Sequence, residues 1–149
     1  MYAFFKNLFI SIFRRSDLKK ARKDLDRWAV VIKAEGIHGM RKFMSQFKWR
    51  KESTDWTPDG PEVVVANEYR DDCDGAAVLA KWAFHQLGMP SHYYRLKGKT
   101  NHRICVTDNL KWFTSNGDVV EIPDNMVMER YVLKWGWHRA KGYEKVVRV

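Results

Sequence analysis

Three residue types that together perform nucleophilic catalysis occur between residues 73 and 116 of this 149-residue sequence. Cys73 stands where a predicted helix begins, and the outward-pointing amide groups and dipole of a helix start favour a thiolate. His102 lies in a predicted strand, where its imidazole could accept the proton of the thiol. A polar residue behind the imidazole would fix its tautomer and complete a set of nucleophile, base and orienting residue.

The third residue of this set follows from the pairing expected between two consecutive strands. If the Asp108-Asn109 turn centres near Asn109, the residue opposite His102 is Asn116, because antiparallel partners have a constant index sum. Directly opposed residues share one face of a sheet, so Asn116 is the predicted orienting residue. Asp118 lies on the same face in this register and is the reserve candidate.

The second cysteine, Cys105, alternates onto the strand face opposite to His102, and we interpret it as a core residue. Two cysteines are too few for a disulfide framework, which favours a reducing compartment and a cytoplasmic location. The other histidines show no metal-ligand spacing with the cysteines, so we interpret them as ordinary helix or surface residues. They are His38, His85, His92 and His138. No metal and no other cofactor is expected.

The elements that must position these residues are predicted from the spacing of apolar side chains. Helical periodicity predicts three main helices. They cover residues 17–36, 38–48 and 72–87. In the first of them, Ser16 is the predicted cap and Gly36 the predicted end. Alternating patterns then predict strands over residues 91–97, 101–107, 110–115 and 119–122, and a further helix could cover 126–137. Helices followed by antiparallel strands indicate an α+β domain.

Positive charge is concentrated in the first third of the chain. The formal net charge is +9, and thirteen basic but only four acidic residues lie between Arg14 and Lys51. We therefore predict a basic helical N-terminal arm, residues 1–51, that packs on a second unit, residues 52–149. An anionic partner could bind through residues 14–51. No apolar run approaches the roughly 20 residues that a transmembrane segment needs.

The segment before the basic residues is itself apolar on one side. Phe5, Leu8, Phe9 and Ile12 fall on one helical face. The simplest interpretation is a helix that packs on the core of the domain. A helix that lies on a membrane surface or docks on a partner is the alternative.

The surroundings of the cysteine and the histidine resemble the transglutaminase-like cysteine protease superfamily. The shared pattern is a cysteine between acidic residues at a helix start, a Leu-Gly-x-Pro helix end, a histidine on a strand and a tryptophan on the next strand. These features are Asp72-Cys73-Asp74-Gly75-Ala76-Ala77, Leu87-Gly88-Met89-Pro90, His102 and Trp112 to Asn116. Upstream, Trp56, Pro58, Pro61 and Glu62 are similar to the Trp-x-x-Pro-x-Glu lead-in of the bacterial peptidases of this superfamily.

The resemblance implies a papain/transglutaminase-like core, in which the nucleophile helix packs on a small antiparallel sheet. Cys73 would be the nucleophile, His102 the base and Asn116 the third member, although this superfamily usually has Asp in the third position. Asn67, or alternatively Trp56, would supply an oxyanion donor beside the Cys73 backbone N–H.

The acidic residues around the cysteine have a simpler interpretation than metal binding. Asp71, Asp72 and Asp74 suit the cap and the first turn of a helix. Asp72 and Asp74 also match calcium-binding positions of some bacterial relatives, but two carboxylates are too few for a calcium shell of six to eight oxygens.

Two functions follow from these patterns. The first is a cysteine-dependent acyl-transfer enzyme, a protease or amidase that acts on a protein or peptide through Cys73, His102 and Asn116. The alternative is a catalytically silent basic binding module whose N-terminal helices engage nucleic acid, a membrane surface or a partner protein.

Overall fold

The computed structural model describes residues 2–51 and 60–149, with side chains described from residue 15. These residues form helices, a five-stranded antiparallel sheet and a short parallel sheet of two strands. The helices are α1 (Tyr2–Glu35), α2 (Ile37–Met44), α3 (Pro61–Ala66), α4 (Cys73–Gln86), α5 (Met128–Lys134) and α6 (Gly136–Lys141). The strands are β1 (Lys48–Trp49), β2 (Arg70–Asp71), β3 (Ser91–Lys97), β4 (Asn101–Thr107), β5 (Trp112–Ser115), β6 (Asp118–Glu121) and β7 (Lys145–Arg148). The predicted α+β class is confirmed.

The first helix is longer than predicted. α1 passes through Ser16 without interruption, so the predicted cap at this residue is wrong. No glycine or proline lies between Tyr2 and Glu35 to break the helix. The predicted end is confirmed, because Gly36 has a φ of 65°, in the left-handed region that favours glycine. The predicted packing of residues 1–13 and the roles of Trp56 and Pro58 lie outside the described side chains.

The basic arm shares a hydrophobic core with the helix of the cysteine. Leu25 and Ile32 of α1 and Phe43 of α2 are buried in one cluster with Leu79 and Phe84 of α4. None of the helices in the described ranges is long and apolar enough to cross a membrane. Residues 15–44 are therefore part of the packed structure that supports α4.

The five-stranded sheet has the order β6-β5-β4-β3-β7, and all of its strand pairs are antiparallel. Its two faces contribute to different hydrophobic clusters. Cys105 and Val119 belong to the cluster that contains α4, whereas Ile104 and Phe113 pack with Val132 of α5. The sheet thus separates α4 from α5, and strand β4 contributes side chains to both sides.

The register between β4 and β5 differs by one residue from the predicted one. Cys105 pairs with Thr114 and Val106 with Phe113, so the turn centres between Asn109 and Leu110. A four-residue connection causes the difference, with Leu110 in the left-handed region at a φ of 58°. A shift of one residue exchanges the two faces of a strand.

The segment predicted as one helix over 126–137 forms two short helices. Trp135 has an extended conformation, with φ −62° and ψ 133°, and ends α5 before α6 begins. α6 ends at Gly142, which has a φ of 71°. The break turns the chain so that α6 can place a histidine under the sheet.

Candidate active site

Cys73 is the first residue of α4, as predicted. Asp72 caps the helix, because its carboxylate accepts a hydrogen bond from the backbone N–H of Asp74 at 3.0 Å. The Asp71 carboxylate accepts the backbone N–H of Asp72 at 2.7 Å. The interpretation of Asp72 as a capping residue is therefore confirmed, and the cap fixes Cys73 as the first residue of the helix.

Gly75 makes room for the buried carboxylate beneath the helix start. Asp71 is only 1% exposed, and a Cβ atom added at Gly75 would overlap its carboxylate group. Asp71, Asp72 and the first turn of α4 thus form one tightly packed unit around Cys73.

The thiol of Cys73 is half-buried and has a raised pKa. Burial is the main cause, and the nearby carboxylates of Asp74 and Asp72 raise the pKa further. A hydrogen bond from the backbone of Arg103, and the charge of its side chain, act in the opposite direction. Burial thus opposes the stabilisation of the Cys73 thiolate that is expected from the helix start.

The acidic residues beside Cys73 already have partners within the protein. Asp72 caps α4, and Asp74 Oδ1 lies 3.2 Å from Arg103 Nε. In the described part of the chain, no group of three or more His, Cys, Asp or Glu side chains could hold a metal ion.

His102 is the second element of the site and lies buried on the side of the sheet that faces α5 and α6. It is 3% exposed. Its Nε2 lies 2.9 Å from Ser115 Oγ, and Ser115 Oγ lies 2.7 Å from His138 Nε2. His138 Nδ1 lies 2.7 Å from the carbonyl oxygen of Val132. A continuous chain of hydrogen bonds therefore joins β4 and β5 to α6 and α5.

Aromatic rings surround the imidazole of His102. The ring of Tyr143 is stacked on it at 5.9 Å with an interplanar angle of 20°, and Trp137 contacts it edge-on at 4.8 Å. Burial, together with the charge of His138, lowers the pKa of His102 to about 3. The imidazole is therefore neutral at neutral pH.

Cys73 and His102 share two neighbours. Arg103, whose Nε lies 3.2 Å from Oδ1 of Asp74, directly follows His102 in β4. Tyr143 stacks on His102; burial is the main cause of the raised pKa of its hydroxyl, and the charge of Cys73 adds to it. Cys73 and His102 therefore both lie near the start of β4, but α4 packs on the sheet face that carries Cys105, whereas the ring of His102 lies on the face of α5 and α6.

The predicted position of Asn116 opposite His102 is wrong. The observed register places Ser115 on the His102 face, and Asn116 follows β5 in a turn with a φ of 50°. Asn116 Oδ1 is buried without a hydrogen-bond partner among the described residues. Asp118, the reserve candidate, pairs with Ser115 across β5 and β6, and its side chain is exposed.

Asn67, the candidate oxyanion donor, caps the C-terminus of α3. Its backbone N–H donates to the carbonyl oxygens of Val63 and Val64 at 3.1 and 3.2 Å. Glu68 and Tyr69 follow with φ values of 60°, and they turn the chain into β2. A role of the Asn67 side chain in catalysis stays a prediction.

Two residues of the site were not found from the sequence. Ser115 lies at a period-two position from Phe113, which is the signal that it shares a face with His102 once the register is known. His138, which we interpreted as an ordinary helix or surface residue, lies on helix α6 and is 0% exposed, so only the surface alternative is wrong. No helical spacing related it to the preceding residues, because Trp135 interrupts the helical segment before α6 begins.

Cys105 is buried in the core, as predicted. It is 0% exposed, and burial raises its pKa to about 11. The two cysteines therefore differ in access, with Cys73 half-buried and Cys105 fully enclosed.

Comparisons with protein-family models, curated proteins and solved structures find no match to this chain.

Proposed function

We propose that this protein is a cysteine-dependent acyl-transfer enzyme, a protease or amidase with a papain/transglutaminase-like arrangement of nucleophile and base. The observation that carries the proposal is the ion pair between Asp74 Oδ1 and Arg103 Nε at 3.2 Å, which brings together the residues that directly follow Cys73 and His102. It supports a site in which a thiol at a helix start meets an imidazole on the adjoining strand.

The proposed reaction begins from a neutral thiol and a neutral imidazole. Nε2 of His102 is engaged by Ser115, so Nδ1 is the nitrogen that accepts the proton of Cys73. As this proton moves, the sulfur forms a bond to the carbonyl carbon of the substrate, and the carbonyl oxygen becomes an oxyanion. The backbone N–H of Cys73 stabilises this charge, with Asn67 proposed as the second donor.

The second half of the reaction returns the proton. The carbonyl reforms, the carbon–nitrogen bond of the amide breaks, and His102 donates the proton to the leaving amine. Water then attacks the thioester with His102 again as the base, which releases the acid and the Cys73 thiol. In this proposal Ser115 takes the third position that the sequence assigned to Asn116.

The proposal is tested with p-nitrophenyl acetate, an acyl donor that needs no knowledge of the natural substrate. We expect release of p-nitrophenol and an acetyl thioester on Cys73, detected by mass spectrometry of the intact and digested protein. Cys73→Ala should abolish both signals. His102→Ala should slow acylation about 100-fold or more, the range expected for loss of a general base.

Cys105→Ala is the matched control, because it removes the other thiol from a buried position on the opposite face of β4. It should leave acylation of Cys73 unchanged. Equal acylation of the two cysteines, or a rate that does not depend on His102, would contradict the proposal.

The basic face of α1 supports the second candidate, a nucleic-acid-binding role. Lys19, Arg22 and Lys23 are exposed at helical spacing on α1, while Leu25 and Ile32 of the same helix are buried. Deletion of the arm would remove core residues and confound the result, so charge reversal is the appropriate change.

For this candidate we expect Lys19→Glu/Arg22→Glu/Lys23→Glu to weaken binding to duplex DNA and to reduce the salt slope of log K by about three. Titrations of fluorescent duplex DNA at several salt concentrations measure this slope. Lys97→Glu/Lys99→Glu/Lys145→Glu, at three exposed positions outside the arm, changes the net charge equally and should have a smaller effect. Equal effects of the two variants would count against a site on α1.

A further inference from the structure

We infer that Ser115 and His138 are positioning residues that hold His102 in one tautomer, with the proton on Nε2 and the free lone pair on Nδ1. The inference rests on the proposed function, because it names the residues that prepare His102 to accept the Cys73 proton. Nothing in the resemblance to transglutaminase-like proteases assigns a role to a serine and a second histidine at these positions.

The direction of every hydrogen bond in the chain follows from its last acceptor. The carbonyl oxygen of Val132 can only accept, so His138 Nδ1, 2.7 Å away, carries a proton. Neutral His138 then has a lone pair on Nε2, which accepts the hydroxyl proton of Ser115 at 2.7 Å. Ser115 Oγ, having donated its only proton, accepts from His102 Nε2 at 2.9 Å.

The surroundings of the two rings keep both of them neutral. His102 and His138 are 3% and 0% exposed, and burial lowers the pKa of each. Their ring centroids are 5.5 Å apart, so charge on one ring disfavours charge on the other. With both imidazoles neutral, the proton on Nε2 of His102 leaves Nδ1 unprotonated.

Burial favours the neutral state of the proposed base, but the hydrogen bonds behind its ring are compatible with both protonation states. When His102 accepts the thiol proton at Nδ1, Nε2 continues to donate to Ser115, and no hydrogen bond behind the ring has to reverse. A fixed tautomer matters because the opposite one places a proton on the nitrogen that must accept. In the Ser-His-Asp triad, loss of the correct histidine tautomer costs about 10⁴-fold in kcat.

The tautomer is measured by long-range ¹H–¹⁵N correlation spectra of protein labelled with ¹⁵N-histidine at neutral pH. We expect His102 to be protonated at Nε2 and His138 to be protonated at Nδ1. His102→Gln and His138→Gln assign the signals. A His102 ring protonated at Nδ1 in the wild-type protein would overturn the inference, whatever the behaviour of any variant.

Two substitutions of His138 test whether the tautomer depends on it. His138→Leu removes the acceptor, so the Ser115 hydroxyl becomes free to donate to Nε2 and His102 should populate the Nδ1–H form. Acylation of Cys73 by p-nitrophenyl acetate near neutral pH should then fall about tenfold. His138→Gln can present an oxygen to Ser115 and should keep both the wild-type tautomer and the wild-type rate.

A second readout separates positioning from general damage to the fold. At a pH above the pKa of Cys73, the thiolate forms without help from His102, so alkylation by iodoacetamide should be unchanged in His138→Leu. Ser115→Ala should lower acylation in the same way. Thr114→Val, which removes a hydroxyl from the opposite face of β5, should not lower it.

The two proposals fail in different ways. If wild-type Cys73 is not acylated, the proposed function fails, while the ¹⁵N spectra still decide the tautomer. If Cys73 is acylated but the His102 tautomer and the acylation rate are unaffected by His138→Leu and Ser115→Ala, the positioning role is overturned and the proposed function stands.

Discussion

The rate of alkylation of Cys73 by iodoacetamide is expected to rise about tenfold per pH unit between about pH 7 and about pH 9, roughly 100-fold in total. Only the thiolate reacts, and below the pKa of a thiol its thiolate fraction increases tenfold with each pH unit. Burial raises the pKa of Cys73 above its ordinary value, so the increase should continue across the whole interval. An exposed cysteine, with a pKa near 8.5, begins to level off inside it.

The measurement follows the modified peptide of each cysteine by mass spectrometry at a series of pH values. Cys105 provides the internal comparison, because it is fully buried and its pKa is about 11. It should react more slowly than Cys73 at every pH. A Cys73 rate that is already constant below pH 7 would mean that the thiolate is stabilised as an ion pair with His102, and would contradict the neutral resting state.

Gly75→Ala is expected to lower the free energy of unfolding by about 2 kcal/mol or more, although alanine normally stabilises a helix interior by up to about 1 kcal/mol over glycine. The reason is the carboxylate of Asp71, which occupies the space that the new methyl group needs. Because Asp71 is buried and accepts the backbone N–H of Asp72, displacing it breaks a hydrogen bond next to the helix cap. Urea unfolding followed by tryptophan fluorescence measures the change.

Gly136→Ala is the matched control for this substitution. Gly136 also lies in a helix, α6, but a Cβ atom at this position would meet no atom within 4 Å. We expect no loss of stability at this position. If Gly75→Ala were as stable as Gly136→Ala, the packing of Asp71 against the start of α4 would not be the constraint described.

Local signals in the sequence predicted α4 and the strands that follow it. Asp72 is a strong capping residue and Gly88 a strong stop, so the two ends of α4 depend on residues close to them in sequence. Strand β4 was predicted over 101–107, which is its observed extent. The location of Cys73 at a helix start and of His102 on a strand followed from these local patterns.

The partners of His102 depend on features that local patterns do not determine. The register of β5 changes by one residue according to whether the turn before it has three or four members, and Leu110 adopts a φ of 58° that a leucine seldom has. His138, which contacts Ser115, lies on a second helix that begins after Trp135 interrupts the helical segment. The sequence therefore indicated the strand position of His102, the proposed base, but misplaced the residues behind it.

Two of the residues around His102 come late in the chain, which determines when the proposed site can form during protein synthesis. His138 and Tyr143 lie after every strand from β3 to β6, so a nascent chain that has emerged only through β6 contains Cys73 and His102 but not the groups that orient and enclose the imidazole. Translation adds roughly 5–20 residues per second. Cys73 and His102 are therefore synthesised before α6. On the proposed mechanism, His102 is held in its active tautomer only after α6 has docked. We therefore expect the incomplete chain on the ribosome not to acylate itself or neighbouring chains.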